Sequence, residues 1–436
     1  MRSLHAVLVE RTSPRLVELL AAALDGSGPA LLPLDAGLPP ARLAELIAAF
    51  APDTIEGPDG ETTARSGENK EVAEGTAVII GTSGSTGTSK GVQLSAAALL
   101  HSARASLARI GARPGERWLC CLPGTNIAGL QVLVRSLVSG TDPVLATTAD
   151  AATVAASGCA HVSLVPTQLR RLLDPDIDIS TPLAGFSSVL LGGAAAPPSL
   201  LGAARAAGVP VVTTYGMTET CGGCVYDGLP LDGVRVAIGD DDTPHGGGTA
   251  QDGGGTAQHG GGTAQDGGGA AGRGGGRIWI GGPVLFSGYR SLTAAPAADA
   301  VLADGWFRTG DLGQLDAAGR LTVRGRADDV INTGGRKVVP GEVAAALETC
   351  PGVREVAVVG QPDAEWGERV VAVVVPADPA NPPALELLRL HVKERLPRYA
   401  APSRVVVVDA VPLLPSGKYD IARLRLELVR REQTQA

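Results

Sequence analysis

The stretch GTSGSTGTSKG, residues 81–91, follows the apolar run Ala77–Ile80 and precedes an alanine-rich segment with helical periodicity from Ser95 to Ile110. An apolar strand, a glycine-dense loop and a helix in that order belong to α/β folds, in which ligands collect at strand ends. Glycine lets backbone approach a polyanion closely, the amides and hydroxyls donate to phosphate oxygens, and Lys90 adds a cation. The stretch is not a Walker A loop, because Lys90 is followed by Gly91 rather than Ser or Thr, and it contains no GxGxxG. The bland alternative, a solvated Ser/Gly surface loop, explains neither the strand before it nor the helix after it.

The chain has 436 residues, 44% of them hydrophobic. Single cores tend to split beyond about 250 to 300 residues, so two domains are expected. The first, residues 1–326, reads as α/β with mixed sheets and helices. Leu31–Phe50 gives a short strand, a turn and a helix, and Asp53–Glu74 reads as a polar loop. The runs Val162–Val165, Ser188–Leu191 and Val211–Thr214 alternate with helical segments. Residues 246–276 repeat GGGTAQ followed by Asp or His and offer almost nothing to bury, so they read as a flexible insertion between two strands. His245, His259, Asp252 and Asp266 are metal-capable residue types, but a glycine tract preorganises no site. The second domain, residues 327–436, reads as a small α+β lid with its boundary near Asp328.

A net charge of −8 argues against nucleic acid or an anionic membrane as partner. No apolar run reaches the roughly 18 residues of a membrane span, and charged residues interrupt the amino terminus before a signal sequence forms. The expected location is the cytoplasm, and the six cysteines read as reduced thiols. Cys221 and Cys224 form a CxxC without the second ligand pair that structural zinc requires, so packed thiols are expected.

The glycine loop, together with YGMTET at Tyr215–Thr220, WFRTGDL at Trp306–Leu312, GRADDVINTGG at Gly325–Gly335 and PSGK at Pro415–Lys418, resembles the adenylate-forming enzymes. The resemblance runs in order from about Leu31 to Arg425 and implies an AMP-forming acid-thiol ligase with ATP and coenzyme A as co-substrates and Mg2+ as cofactor. It implies phosphate contacts from Thr82, Ser83, Gly84, Ser85, Thr86, Gly87, Lys90 and Thr218. Gly193, Ala194, Tyr215 and Gly216 would surround adenine, Asp311 would accept the ribose hydroxyls, and Arg326 would add a second nucleotide contact. Glu219 would help hold magnesium. Lys418 would be the catalytic cation of adenylation, swinging away for thioester formation about a hinge at Asp328, after which Gly334 and Gly335 would line the coenzyme A tunnel. A homodimer is expected by analogy alone.

Three further stretches, LPGTNIAGLQVLVRSL, HVSLVPTQLRRLL and TTYGMTETCGGCVYDGLPLDGV, resemble the branch of this family that acts on o-succinylbenzoate in menaquinone synthesis. Asn126 departs from that branch, standing where an aromatic residue or His is common in the substrate pocket; its amide can still bind a carboxyl group. The second carboxylate of such an acid needs a donor or cation, for which Arg135, Arg170 and Arg171 are candidates. The rival readings are a ligase for another small aryl or fatty acid, an enzyme that loads a carrier protein, and a non-catalytic nucleotide-binding protein.

Overall fold

The computed structural model describes residues 2–11, 13–65, 72–83, 89–174, 182–240, 243–248, 275–290, 304–414 and 418–435. Among the described residues, three sheets precede Asp328. In the first, Leu4–Val9 lies parallel to both Ala30–Asp35 and Thr54–Glu56, and Ala30–Asp35 is followed outward by Thr76–Ser83, Ser89–Ser95 and Gly288–Arg290. The second has a parallel centre of Trp118–Cys120, His161–Leu164, Ser188–Leu191 and Val211–Met217, after which Gly222–Tyr226 turns back antiparallel. The third is antiparallel: Pro244–Gly248, Arg235–Gly239, Gly276–Gly281, Trp306–Leu315 and Leu321–Arg326.

The helix Ile127–Val138, IAGLQVLVRSLV, is buried without interruption from Gly129 to Ser136. A helix apolar on nearly every side belongs inside a protein, and Gln131, Arg135 and Ser136 are buried with it. With Ala96–Arg109 it joins the first two sheets, so that Val78 and Leu94 share one core with Leu99, Leu130, Leu133 and Trp118. All six cysteines are unpaired and buried, Cys221 and Cys224 among them, and burial pushes both of those thiols upward in pKa.

Sheet membership changes between Arg326 and Ile331. The last sheet has Gly367–Pro376 at its centre, antiparallel to Val353–Asp363 and parallel to Arg404–Val407. Its GERVVAVVVP is apolar on both faces for a reason: Val370, Ala372 and Val374 face one core while Val371, Val373 and Val375 face another. The helices Pro340–Leu347 and Leu385–Lys393 cover the first face and the charged helix Ile421–Gln435 the second. Of the glycine repeat, only the strand ends at 246–248 and 275–276 are described; Asp252, His259 and Asp266 lie outside the described residues.

Two expectations need correction. Asp53–Glu74 is not wholly loop, because Thr54–Glu56 pairs antiparallel with Thr62–Ala64 at the edge of the first sheet. Nor does the glycine stretch lead straight into a helix. Ser89–Ser95 is a second strand antiparallel to Thr76–Ser83, with Gly81 opposite Gly91 and Thr82 opposite Lys90, and Ser95 caps the helix only after it. The apolar residues Val92 and Leu94 alternate as a strand requires, but Lys, Gly and Gln dilute a signal spread over seven residues. Glycine at the hairpin base serves packing as well. A Cβ on Gly91 would lie 2.9 Å from both Ile79 Cγ2 and Phe50 Cε1, and one on Gly81 would lie 3.1 Å from Phe50 Cε2. Phe50 is fully buried and cannot retreat. Replacing Gly91 by Ala is therefore expected to destabilise the protein by about 1–3 kcal/mol, the usual cost of overpacking, measured by urea denaturation; an unchanged midpoint would show that Phe50 yields.

Candidate active site

The parallel strand Val211–Met217 ends the central run of the second sheet and carries Tyr215 and Gly216. The ladder to Gly222–Tyr226 slips between these two residues, and a Cβ on Gly216 would stand 2.0 Å from the Gly222 carbonyl oxygen. Only glycine permits that backbone approach. Tyr215 is partly buried against the main core, and its hydroxyl donates to Asp311 Oδ2 at 2.8 Å. Burial and the Asp311 charge push the Tyr215 pKa well up, so it stays a donor. Arg326 reaches the other oxygen of Asp311 at 3.4 Å and Asp328 at 3.2 Å. The three sequence candidates Tyr215, Asp311 and Arg326 thus meet in one chain of contacts.

Met217 is followed by the short 3-10 turn Thr218–Thr220, held by Thr220, whose hydroxyl accepts from the Met217 amide at 2.9 Å. The turn sets Thr218 and Glu219 beyond the strand end. Glu219 accepts at 2.7 Å from the hydroxyl of Tyr289, and the ammonium of Lys90 stands 5.4 Å above the Tyr289 ring. Tyr289 thereby joins the lysine of the glycine hairpin to the expected metal carboxylate, a link the sequence reading missed. Its nearest sequence signal was the SGY that follows the apolar run at Val284–Phe286. Burial, then the Glu219 charge, raises the Tyr289 pKa. Thr82 donates to the Lys90 carbonyl at 3.3 Å, and Gly84, Ser85, Thr86 and Gly87 lie outside the described residues, as does the side chain of Ser83.

Lys418 is far from these residues in sequence but not in space. A Cβ on Gly193, whose φ is +82°, would lie 3.2 Å from Val165 Cγ1 and 4.0 Å from Lys418 Cε. Desolvation lowers the Lys418 pKa; Asp311 and Glu219 pull it upward and Arg326 pushes it down. One ammonium therefore feels the ribose, metal and second nucleotide candidates together. Ala194 is exposed beside Gly193.

Ala327 is fixed by its amide to the Gly310 carbonyl at 2.9 Å, so Asp328 is the first residue past that anchor. Gly334 and Gly335, both at positive φ, turn Ile331–Thr333 back into Arg336–Val338. The exposed Trp366 closes over Gly334, where a Cβ would meet its ring at 2.6 Å, while Gly335 faces open space. Asn126 is exposed at the start of the buried helix and makes no capping bond with its side chain. Of the arginines considered for a second carboxylate, Arg135 is ruled out as a surface group: it is 4% exposed, stacks 4.4 Å over Trp118 and donates to Ser163. Arg170 pairs with Glu355 at 2.9 Å, and Arg171 is exposed.

Among the described residues no helix is long and apolar enough to cross a membrane. The family model described as AMP-binding enzyme matches residues 50–290, and that of the AMP-binding enzyme C-terminal domain matches residues 342–418. The chain is 40% identical to a probable 2-succinylbenzoate–CoA ligase of Mycobacterium tuberculosis, over 99% of this chain and 98% of the other. It is 34% identical to an indoleacetate–CoA ligase of Aromatoleum aromaticum, over 82% of this chain and 70% of the other. Among solved structures it resembles o-succinylbenzoate CoA synthetase (MenE) of Bacillus subtilis in complex with the acyl-adenylate intermediate OSB-AMP, with TM-score 0.77 and 26% identity over 98% of this chain and 88% of the other. Replacing Gly216 by Ala must open the slipped ladder beneath Tyr215, and is expected to weaken ATP binding by at least about tenfold, a loss of about 1.4 kcal/mol; calorimetric titration checks this, and unchanged affinity would dissociate Gly216 from the nucleotide site.

Proposed function

The chain belongs to the AMP-binding enzyme family, and from that premise we propose that it joins o-succinylbenzoate to coenzyme A through an acyl-adenylate. One carboxylate oxygen attacks the α-phosphorus of ATP, the bond to the bridging oxygen breaks and pyrophosphate leaves. The coenzyme A thiol, giving up its proton, then attacks the carbonyl carbon and AMP leaves. The observation that carries this reading is the position of Lys418: its side chain stands at Gly193, within the fields of Asp311 and Glu219. A binding protein has no need of a cation there, whereas a reaction that brings two anions together does.

In this reading Tyr215 presents the open part of its ring to adenine, with Gly193 and Ala194 opposite. Asp311, oriented by the Tyr215 hydroxyl, accepts from ribose; Arg326 and Thr218 donate to the nucleotide. Lys90 and the hairpin amides hold the outer phosphates. Magnesium fits the donor set. Tyr289 occupies one oxygen of Glu219, and among the described residues no three His, Cys, Asp or Glu stand together, so the ion would complete its shell from phosphate oxygens and water, as magnesium does. When bound it would neutralise phosphate charge. For thioester formation the domain 327–436 turns about Asp328, withdraws Lys418 and brings the Gly334–Gly335 turn and Trp366 toward the acyl-adenylate, opening the way for coenzyme A.

The full-length relative supports o-succinylbenzoate as the acid, with Asn126 at the pocket wall. Menaquinone synthesis, a cytoplasmic location and a homodimer belong to the same reading. The test is thioester formation with ATP, Mg2+ and coenzyme A from o-succinylbenzoate, indoleacetate, benzoate and a fatty acid. Product is expected from o-succinylbenzoate, and Lys418→Ala is expected to lower its rate by about 10²–10³, the scale of losing one charge-stabilising group. Product only from another acid would discard the substrate assignment; ATP binding with no product from any acid would favour a nucleotide-binding protein without catalysis.

A further inference from the structure

We propose that Arg170 is the clasp that seats residues 327–436 on the large unit in the pose that carries Lys418 to Gly193, making it a positioning residue for adenylation but not for thioester formation. The inference rests on the two-pose reading above. Arg170 lies in the last turn of the helix Pro166–Leu172, whose N-cap, Val165, walls the space beside Gly193. The same short helix therefore touches the site at one end and the small unit at the other. Across the seam Arg170 Nη1 meets Glu355 Oε1 at 2.9 Å and the Arg354 carbonyl at 3.3 Å.

Tyr419, next in sequence to Lys418, lies in the field of the same Glu355 and packs on the small unit's core. Lys418 is held by the neighbouring Leu413–Tyr419 bridge and by the Leu414 amide, which donates to its carbonyl at 2.8 Å. Arg170, Glu355 and Tyr419 thus lie together at the joint from which Lys418 reaches the site. Glu348 also faces this joint: burial drives its carboxyl up to about 7, and the Arg170 charge acts in the opposite direction.

Another ion pair across the seam, Arg324 with Glu342, lies beside the Gly325 and Gly341 backbones, close to the expected pivot. A rotation about Asp328 moves groups near the axis little and remote groups far. It can leave Arg324 near Glu342, but it must part Arg170 from Glu355. The bridge is about a quarter to a third exposed on each side, so solvent screening limits its worth to a few-fold bias in pose rather than an immovable lock. That suits an element that must release in every cycle.

The experiment uses the full chain with Arg170→Glu, Glu355→Arg and the double swap. Spin labels at cysteines replacing Glu18 and Glu386, side chains 67% and 82% exposed, report the distance between the units by electron resonance, the native thiols being buried. Single-turnover assays on the same variants separate acyl-adenylate formation from thioester formation starting at acyl-adenylate. Each single swap is expected to depopulate the wild-type distance and slow adenylation by about fivefold or more, to leave the thioester step within about twofold, and to be largely reversed in the double swap. Unchanged distances in Arg170→Glu, equal loss of both half-reactions, or a double swap no better than the singles would each overturn the clasp. If the distances respond as expected while the wild-type protein forms no acyl-adenylate from any acid, the clasp stands and the proposed reaction fails.

Discussion

Two anions cannot be brought into reacting distance without positive charge beside them, and this fold delivers one such charge from outside the unit proposed to hold the nucleotide. Unit charges about 4 Å apart interact by roughly 4 kcal/mol at an effective dielectric of ~20, enough to decide whether a carboxylate can approach a phosphate. Lys418 belongs to the small unit, and it stands at the Gly193 loop in the pose in which the helix Pro166–Leu172 meets the strand Val353–Asp363. Partial desolvation makes its ammonium costly, while Asp311 and Glu219 compensate. The two carboxylates proposed for ribose and metal thus offset part of the cost of desolvating the lysine.

The rest of the site is built around strand ends. Val211–Met217 delivers Tyr215, Gly216, Thr218 and Glu219 in immediate succession, and the third sheet brings Asp311 and Arg326 from opposite strands, where they are register partners. Tyr215 and Tyr289 perform parallel tasks. Each hydroxyl orients a carboxylate, Asp311 in one case and Glu219 in the other, from a ring fixed against the main core. Rigid aromatic props of this sort hold first contacts in place without adding charge.

Much of this was legible in the sequence because motif order survives even where secondary structure is ambiguous. The α/β class and the strand Ser188–Leu191 could be found by reading along the chain, and the candidates Tyr215, Glu219, Asp311 and Lys418 by the family motifs they sit in. Three features could not. The strand Ser89–Ser95 hid because its polar residues mask two-residue alternation. Tyr289 hid because its role depends on Gly288–Arg290 pairing with Ser89–Ser95, a contact between residues nearly two hundred positions apart. Arg170 stood only as a candidate for a substrate carboxylate because its partner, Glu355, lies across a seam that no local pattern encodes.

The central claim is that Lys418, seated against Gly193, acts in forming the acyl-adenylate. Exchange of labelled pyrophosphate into ATP measures that step alone. The account requires exchange that depends on o-succinylbenzoate, proceeds without coenzyme A and collapses in Lys418→Ala, while the same variant still converts supplied acyl-adenylate and coenzyme A to thioester. Exchange of undiminished rate in Lys418→Ala, or loss of the thioester step along with it, would contradict the account.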